Sequence, residues 1–230
     1  MKQFILLISL IICAAPLYSQ EPVQNEPIDS INLQSLFINK DEQGLRPYIH
    51  SAADSVLAIL DENAEGVAEG RGERLLNYLR ILSYAGDMSS KEALIKAMIC
   101  PWVGGSTIAR GLMRLGPQVK PEILSYLDRE NWEHSSGTIS TLNRMARIDT
   151  TGTYVTEEFR EKVRDKLVVM LADRANNEAN LTISAVRGLS YFGDESVIPL
   201  LEEISKEDIP ELVYLERTPQ EIIDYIKEKK

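Results

Sequence analysis

Residues 182–205 carry apolar side chains at helical spacing, and one glycine-aspartate pair interrupts the pattern. The apolar positions are Ile183, Val186, Leu189, Phe192, Val197, Leu200, Leu201 and Ile204. This spacing predicts two amphipathic helices that pair as a hairpin. Gly193 is expected to end the first helix with a positive φ, and Asp194 or Ser196 to cap the second. Gly188 is small enough for a neighbouring helix to approach closely.

Weaker copies of the hairpin's turn region precede it. The aligned segments are residues 79–87, 109–117, 143–151 and 186–194. Each has an arginine in its second position, and the arginines are Arg80, Arg110, Arg144 and Arg187. Their spacings of 30, 34 and 43 residues are in or near the range of two-helix solenoid repeats. The third segment has Thr150 where the others have glycine, and it continues into a threonine-rich loop.

Residues 111–127 and 185–204 resemble HEAT-like repeats of the short kind found in bacterial proteins. Both combine a leucine-rich helix, a Leu-Gly or Phe-Gly turn, and a second helix with an early proline. The resemblance extends over residues 72–206. It implies an all-α fold, a right-handed α-solenoid of about four helical hairpins with terminal capping helices. It also implies that other molecules bind along the surface, without indicating which.

Residues 1–19 have the pattern of a cleaved export signal, with an apolar run that is too short to span a membrane. Cys13 raises the alternative of a lipid anchor. Lipoprotein signals have a small residue before the cysteine, and the bulky Ile12 argues against this alternative. The junction after Ser19 resembles the cleavage site of bacterial export signals. We therefore expect a periplasmic or secreted protein.

The rest of the chain divides into three parts. Residues 20–45 are polar and proline-bearing, and predict a flexible tether with a short helix over residues 31–38. The repeat domain is expected over residues 46–206. Residues 207–230 predict a C-terminal capping segment, whose helix starts with the capping box of Thr218 and Glu221.

Charge argues against two classes of partner. The 230 residues include 35 acidic and 25 basic side chains, for a net charge of −10. Cleavage after residue 19 would leave 24 basic side chains and the same 35 acidic ones. Such a chain has no general attraction to nucleic acid or anionic lipid.

Cys100 would be the one cysteine of the mature chain, and we expect a buried side chain rather than a reactive thiol.

No catalytic or metal-binding motif is apparent in the sequence. The two histidines, His50 and His134, belong to no ligand-spaced cluster, and no GxSxG or HExxH pattern occurs. Gly104 and Gly105 precede a predicted helix, but the lysine of a phosphate-binding loop is missing. We therefore expect no enzyme activity, no metal and no cofactor.

Two sets of residues are candidates for partner binding. The arginines Arg80, Arg110, Arg144 and Arg187 are expected on one surface, where they either pair with acids of adjacent repeats or bind carboxylates and phosphates of a partner. Ion pairing within the stack is the preferred alternative. Trp102 and Trp132, with His134, are expected at equivalent ends of successive hairpins, where tryptophans either fill gaps or form an aromatic contact surface.

Together these features predict a non-catalytic scaffold or adaptor of the bacterial envelope that binds a protein or peptide. Two alternatives belong to other classes. The first is a structural subunit of an envelope assembly, and the second is an envelope enzyme built on HEAT-like repeats. The sequence does not predict the oligomeric state.

Overall fold

The computed structural model describes residues 33–62, 71–100, 103, 105–207, 209, 212, 215 and 217–228. Every regular element in these ranges is helical, as the all-α prediction requires. None of the described helices is long and apolar enough to cross a membrane. The expected export signal, Cys13 and Trp102 lie outside the described residues.

Short 3₁₀ turns lead into several of the α-helices. The α-helices are α1 (Leu33–Asn39), α2 (Glu42–Leu45), α3 (Ile49–Glu62), α4 (Arg71–Ala85), α5 (Lys91–Ile99), α6 (Gly105–Leu115), α7 (Lys120–Ser125), α8 (Ser135–Ile148), α9 (Glu157–Ala172), α10 (Ala179–Phe192), α11 (Ile198–Ile204) and α12 (Pro219–Glu228). Helix α1 occupies the place of the short helix expected in the tether, and its Leu36 and Phe37 pack against the core.

The first helices of the four predicted hairpins pack against each other in chain order. Helix α4 packs against α6, α6 against α8, and α8 against α10, and we call these four helices the helix row. Helix α5 packs against α6 and α8, and α9 packs against α10. Helix α3 covers α4, whereas α12 packs against α10 and α11. Their buried apolar side chains form one continuous core.

Glycines within the helix row allow helices to approach closely. A Cβ added to Gly188 of α10 would lie 2.7 Å from Cδ1 of Leu167 in α9, so the predicted close approach is confirmed. In α8, a Cβ on Gly137 would lie 2.5 Å from the carbonyl oxygen of Met98, at the end of α5. Real Cβ contacts are longer than these distances. Gly137 therefore requires glycine, because the conflicting atom belongs to the backbone, whereas the Leu167 side chain can move away from a Cβ at position 188.

The turn glycines are needed for two different reasons. Gly116 has a φ of 89°, a conformation that favours glycine. The positive φ expected at Gly193 is wrong, because its φ is −71°. Position 193 requires glycine for a steric reason instead, because an added Cβ would lie 2.5 Å from the carbonyl oxygen of Leu189 in the last turn of α10. Gly86 shows the same conflict with the carbonyl oxygen of its own helix, α4.

Aspartates that follow two of these glycines start the next helical segment. The Asp194 carboxylate accepts a hydrogen bond from the Ser196 N–H at 2.9 Å, so Asp194 rather than Ser196 is the cap. Asp87 accepts one from the Ser89 N–H at the same distance in the first hairpin. At the chain's end, the predicted capping box is confirmed, because the Thr218 N–H donates to Glu221 Oε2 at 2.7 Å.

Asp87→Ala is expected to lower the free energy of unfolding by about 1 kcal/mol, the usual contribution of an N-cap side chain. Asp87→Asn is the matched control, because asparagine caps as well as aspartate and should change stability by only a few tenths of a kcal/mol. Urea denaturation measures both values. Equal stability of the alanine variant and wild type would show that this cap contributes nothing.

The loop between α8 and α9 replaces the turn glycine of the third hairpin with a buried carboxylate. Asp149 is only 8% exposed. Its carboxylate accepts hydrogen bonds from the backbone N–H groups of Tyr154 at 2.7 Å and Val155 at 2.6 Å. The Thr151 hydroxyl and the Thr153 N–H donate to it as well. Burial alone would raise the pKa of Asp149, but these donors hold the pKa below its usual value.

Candidate functional site

The four repeated arginines are exposed on the helices of the helix row. Arg80 lies on α4, Arg110 on α6, Arg144 on α8 and Arg187 on α10. Within the described ranges, none of the four forms an ion pair with an aspartate or glutamate. The ion pairs that were the preferred expectation at these positions are therefore not found among the described residues.

Arginines outside the repeated position form ion pairs between elements. Arg114 of α6 binds the Glu42 carboxylate of α2 with two hydrogen bonds of 2.8 and 2.6 Å. Arg174, which follows α9, binds Glu203 of α11 at 2.6 Å. Arg164 of α9 pairs with the capping aspartate of the fourth hairpin. The arginines that form ion pairs between elements are thus different residues from the four repeated arginines.

The repeated arginines have different surroundings. Arg80 lies 3.4 Å from the Asn77 side-chain oxygen, and its guanidinium is 5.9 Å from the centre of the Phe37 ring in α1. Arg110 is exposed without a recorded partner among the described residues. Arg144 and Arg187 line one cleft together. The structure therefore brings together two of the four predicted residues.

The cleft lies between α8 and α10 and continues toward α12. Its first part has a volume of about 60 Å³ and is lined by Ser140, Asn143, Arg144, Arg147, Arg187 and Tyr191. The adjoining part has a volume of about 100 Å³ and is lined by Arg147, Arg187, Ser190, Tyr191, Leu215, Arg217, Ile222 and Tyr225. We call the two parts the arginine cleft. The described residues that line it include four arginines and no acidic residue, in a chain of net charge −10.

Helical spacing places these side chains on facing surfaces. The α8 residues lie at relative positions 0, 3, 4 and 7, which share one helix face, and they are Ser140, Asn143, Arg144 and Arg147. The α10 residues follow the same spacing and are Arg187, Ser190 and Tyr191. A hydrogen bond of 3.0 Å between the Ser136 and Ser184 hydroxyls links the two helices. The first part of the cleft therefore rests on packed helices, whereas Leu215 and Arg217 of the adjoining part precede α12.

Two tyrosines hold guanidinium groups in place. Arg147 donates a hydrogen bond of 2.6 Å from Nε to the Tyr191 hydroxyl, and its guanidinium lies 5.0 Å from the centre of that ring. The Arg217 guanidinium lies 4.2 Å from the centre of the Tyr225 ring in α12. Glu221 also attracts Arg217, but this carboxylate is already bound to the start of α12. Such contacts limit the freedom of long side chains and favour binding of a ligand.

Asn143 adds an acceptor to this cluster of donors. Its side chain is 6% exposed, and its Oδ1 atom is buried without a hydrogen-bond partner among the described residues. A buried amide oxygen without a partner costs about 1–3 kcal/mol. Asn143 lines the cleft beside Arg144 and Arg187, but its Oδ1 atom has less than 1 Å² of accessible surface.

The predicted aromatic surface is not assembled by the described residues. Trp132 is half-buried, and its Nε1 donates a hydrogen bond of 3.2 Å to the Leu127 carbonyl oxygen. His134 packs edge-on against Tyr126, with ring centres 6.2 Å apart, and lies 3.3 Å from the Glu133 carboxylate. Neither Trp132 nor His134 lines the arginine cleft. Trp132 therefore fills a gap beside the core, and its proposed partner in that surface, Trp102, is not described.

Reactive groups are sparse in the part of the chain that the structure describes. It contains no group of three histidine, cysteine, aspartate or glutamate residues that could hold a metal ion. Cys100 is a free, half-buried cysteine, so the expected full burial is only partly met. Burial raises the pKa of its thiol, which lowers the fraction present as thiolate near neutral pH.

Sequence reasoning missed several residues of the arginine cleft. Asn143 and Arg147 flank the predicted Arg144 at helical spacing, and this spacing could have identified them. Arg217 and Tyr225 have no such signal, because they come from the C-terminal segment.

No protein-family model, curated protein or solved structure matches the chain.

Proposed function

We propose that the protein is a non-catalytic scaffold or adaptor that binds an acidic protein or peptide through the exposed arginines of the helix row. In this proposal the hairpins are HEAT-like repeats and form a right-handed α-solenoid. The N-terminal helices and α12 cover its ends. Cleavage after residue 19 releases the protein into the bacterial periplasm or the exterior. The serial packing of α4, α6, α8 and α10 supports the repeat arrangement.

The absence of ion pairs at the repeated arginines carries this proposal. Acidic side chains outnumber basic ones by 35 to 25, yet no described carboxylate pairs with Arg110, Arg144 or Arg187. Guanidinium groups bind carboxylates in a two-pronged geometry, so exposed arginines are suited to an acidic partner. The overall negative charge would repel the same partner elsewhere on the surface, which favours binding at the arginines.

Arg110→Ala is expected to leave the free energy of unfolding within about 0.5 kcal/mol of wild type, because the side chain is exposed and forms no ion pair with a described residue. Arg114→Ala is the matched control on the same helix. It removes the two hydrogen bonds to Glu42 and should lower stability by up to about 1 kcal/mol. Urea denaturation compares the two variants. A larger loss for Arg110→Ala would show that the repeated arginines have a structural role.

Affinity capture tests the proposed function with residues 20–230 as bait. The extract comes from the envelope of the producing bacterium, and mass spectrometry quantifies the captured proteins. We expect at least one partner to be retained by wild type and reduced about tenfold by Arg110→Ala, as loss of one charge-assisted contact predicts. Arg74→Ala, an exposed arginine of α4 outside the repeated position, should retain that partner.

Higher salt should weaken the captured complex, because exposed charge pairs are screened. Equal capture by wild type and Arg110→Ala would contradict binding along the helix row. Equal losses for Arg110→Ala and Arg74→Ala would show that only the total charge matters.

A further inference from the structure

We infer that Met88 is an oxidation site, at which a hydroperoxide converts the thioether to a sulfoxide whose oxygen accepts a hydrogen bond from Gln118. This inference goes beyond the proposed binding function and does not rest on it. Met88 starts the 3₁₀ turn Met88–Ser90 between α4 and α5, and Gln118 lies in the corresponding turn Pro117–Val119 between α6 and α7. The modification therefore acts between the turns of the first two hairpins.

Exposure separates Met88 from the other described methionines. The Met88 side chain is 47% exposed, whereas Met98, Met145 and Met170 are at most 1% exposed. Met113 is partly buried against the core. An oxidant reaches a buried sulfur only when the fold opens locally, but it reaches Met88 in the native state. Oxidation of the folded protein should therefore begin at Met88.

The side chain beside the Met88 sulfur is a hydrogen-bond donor. Gln118 Nε2 lies 3.5 Å from Met88 Sδ, and it also donates to the carbonyl oxygen of Leu115. One of its N–H groups thus has a strong acceptor, and the other has only a thioether sulfur, which is a weak acceptor. Because Met88 and Gln118 are both exposed, their side chains can shift to admit an oxygen atom between them.

The oxidation requires a two-electron oxidant of the hydroperoxide class, such as hydrogen peroxide. A lone pair of Met88 Sδ attacks one peroxide oxygen, and the S–O bond forms as the O–O bond breaks. The proton on the transferred oxygen passes to the departing hydroxide, which leaves as water. The sulfur is thereby oxidised by two electrons and the peroxide is reduced by two.

The fold should tolerate a sulfoxide at this position. The turn is held by the Asp87 carboxylate, which accepts hydrogen bonds from the Ser89 N–H and hydroxyl groups, and by the Lys91 N–H, which donates to the Met88 carbonyl oxygen. None of these bonds involves the thioether. A sulfoxide oxygen is a stronger acceptor than the thioether, and the flexible side chain can turn it toward Gln118. The oxidised protein thus gains a hydrogen bond between two hairpins.

Timed peroxide treatment of the chain of residues 20–230 tests the site. Hydrogen peroxide is added to the folded protein, and peptide mass spectrometry measures the oxidised fraction of each methionine. We expect Met88 to react at least about tenfold faster than Met98, Met145 and Met170. The same chain unfolded in urea is the reference, in which all the methionines should react at similar rates.

Gln118→Leu tests the contact that the sulfoxide gains. The melting temperature is measured before and after oxidation of Met88, in wild type and in this variant, and circular dichroism confirms that both are folded. We expect the shift caused by oxidation to be about 2–4 °C more favourable in wild type, as one additional hydrogen bond predicts for a chain of this length. Met88→Leu is the control, whose melting temperature should not change under the same treatment.

Equal rates for Met88 and the buried methionines of the folded protein would overturn the inference, and so would faster oxidation of Met113. An equal shift of the melting temperature in wild type and Gln118→Leu would overturn the hydrogen bond to the sulfoxide. A shift in Met88→Leu as large as that in wild type would show that oxidation acts at another residue.

Discussion

Gly137→Ala is expected to lower the free energy of unfolding by about 3 kcal/mol, although alanine is the better helix former. The new Cβ would lie 2.5 Å from the Met98 carbonyl oxygen and 3.0 Å from the carbonyl carbon of Ile99. Both atoms belong to the backbone at the end of α5, so no side-chain rotation can relieve the clash. Helix α8 must instead move away from α5, and contacts of the buried core are lost with it.

Two other glycines in helices provide matched controls. Gly72 of α4 has no atom within 4 Å of an added Cβ, so Gly72→Ala should raise stability by about 0.5–1 kcal/mol through helix propensity. Gly188→Ala should be intermediate, because the conflicting Leu167 atom is the end of a flexible side chain. Urea denaturation with a common m-value ranks the three variants. A Gly137→Ala variant as stable as wild type would show that the α5–α8 contact is looser than described.

Asp149→Ala is expected to lower the free energy of unfolding by about 3 kcal/mol. The substitution leaves the N–H groups of Tyr154 and Val155, both of which belong to buried residues, without their acceptor. Asp54 of α3 is exposed, and Asp54→Ala serves as the control that should change stability by less than about 0.5 kcal/mol. Urea denaturation at neutral pH measures the difference. Similar values for the two variants would contradict a stabilising role of the Asp149 carboxylate.

The contribution of Asp149 should also depend on pH. Its pKa in the folded protein is lowered, so the unfolded chain binds the proton more readily. The stabilisation is therefore fully present above the unfolded pKa, about 3.9, and is lost as the pH falls through the lower folded pKa. The stability difference between wild type and Asp149→Asn should shrink as the pH falls from about 5 through the lowered pKa of Asp149. A constant difference over this range would contradict the assignment to an ionised carboxylate.

Local features of the fold could be predicted from the sequence. The hairpin helices begin and end within a few residues of their predicted positions, because apolar spacing and capping residues act over short distances. Gly193 shows a limit of this reasoning. A glycine at a helix end indicates either a positive φ or a close approach, and the sequence alone does not distinguish them.

The candidate site depended on contacts that sequence spacing does not encode. The repeated position identified Arg144 and Arg187, but the described residues include no acid that pairs with them, because a surface arginine finds a partner only where an acid lies within reach. Arg217 comes from a segment outside the repeats, and only the packing of α12 against α10 brings it to the cleft. The unpaired oxygen of Asn143 likewise becomes apparent only when its neighbours are known.

The order of the helix row has a consequence for how the chain folds. Helices that pack together along the row are separated by one intervening hairpin helix, so the loops closed during folding remain short. Folding rates fall as contacting residues lie further apart in sequence. We therefore expect rapid folding, in milliseconds or less, with each hairpin docking on its predecessor. A chain emerging amino terminus first could begin this docking before its last helix is available.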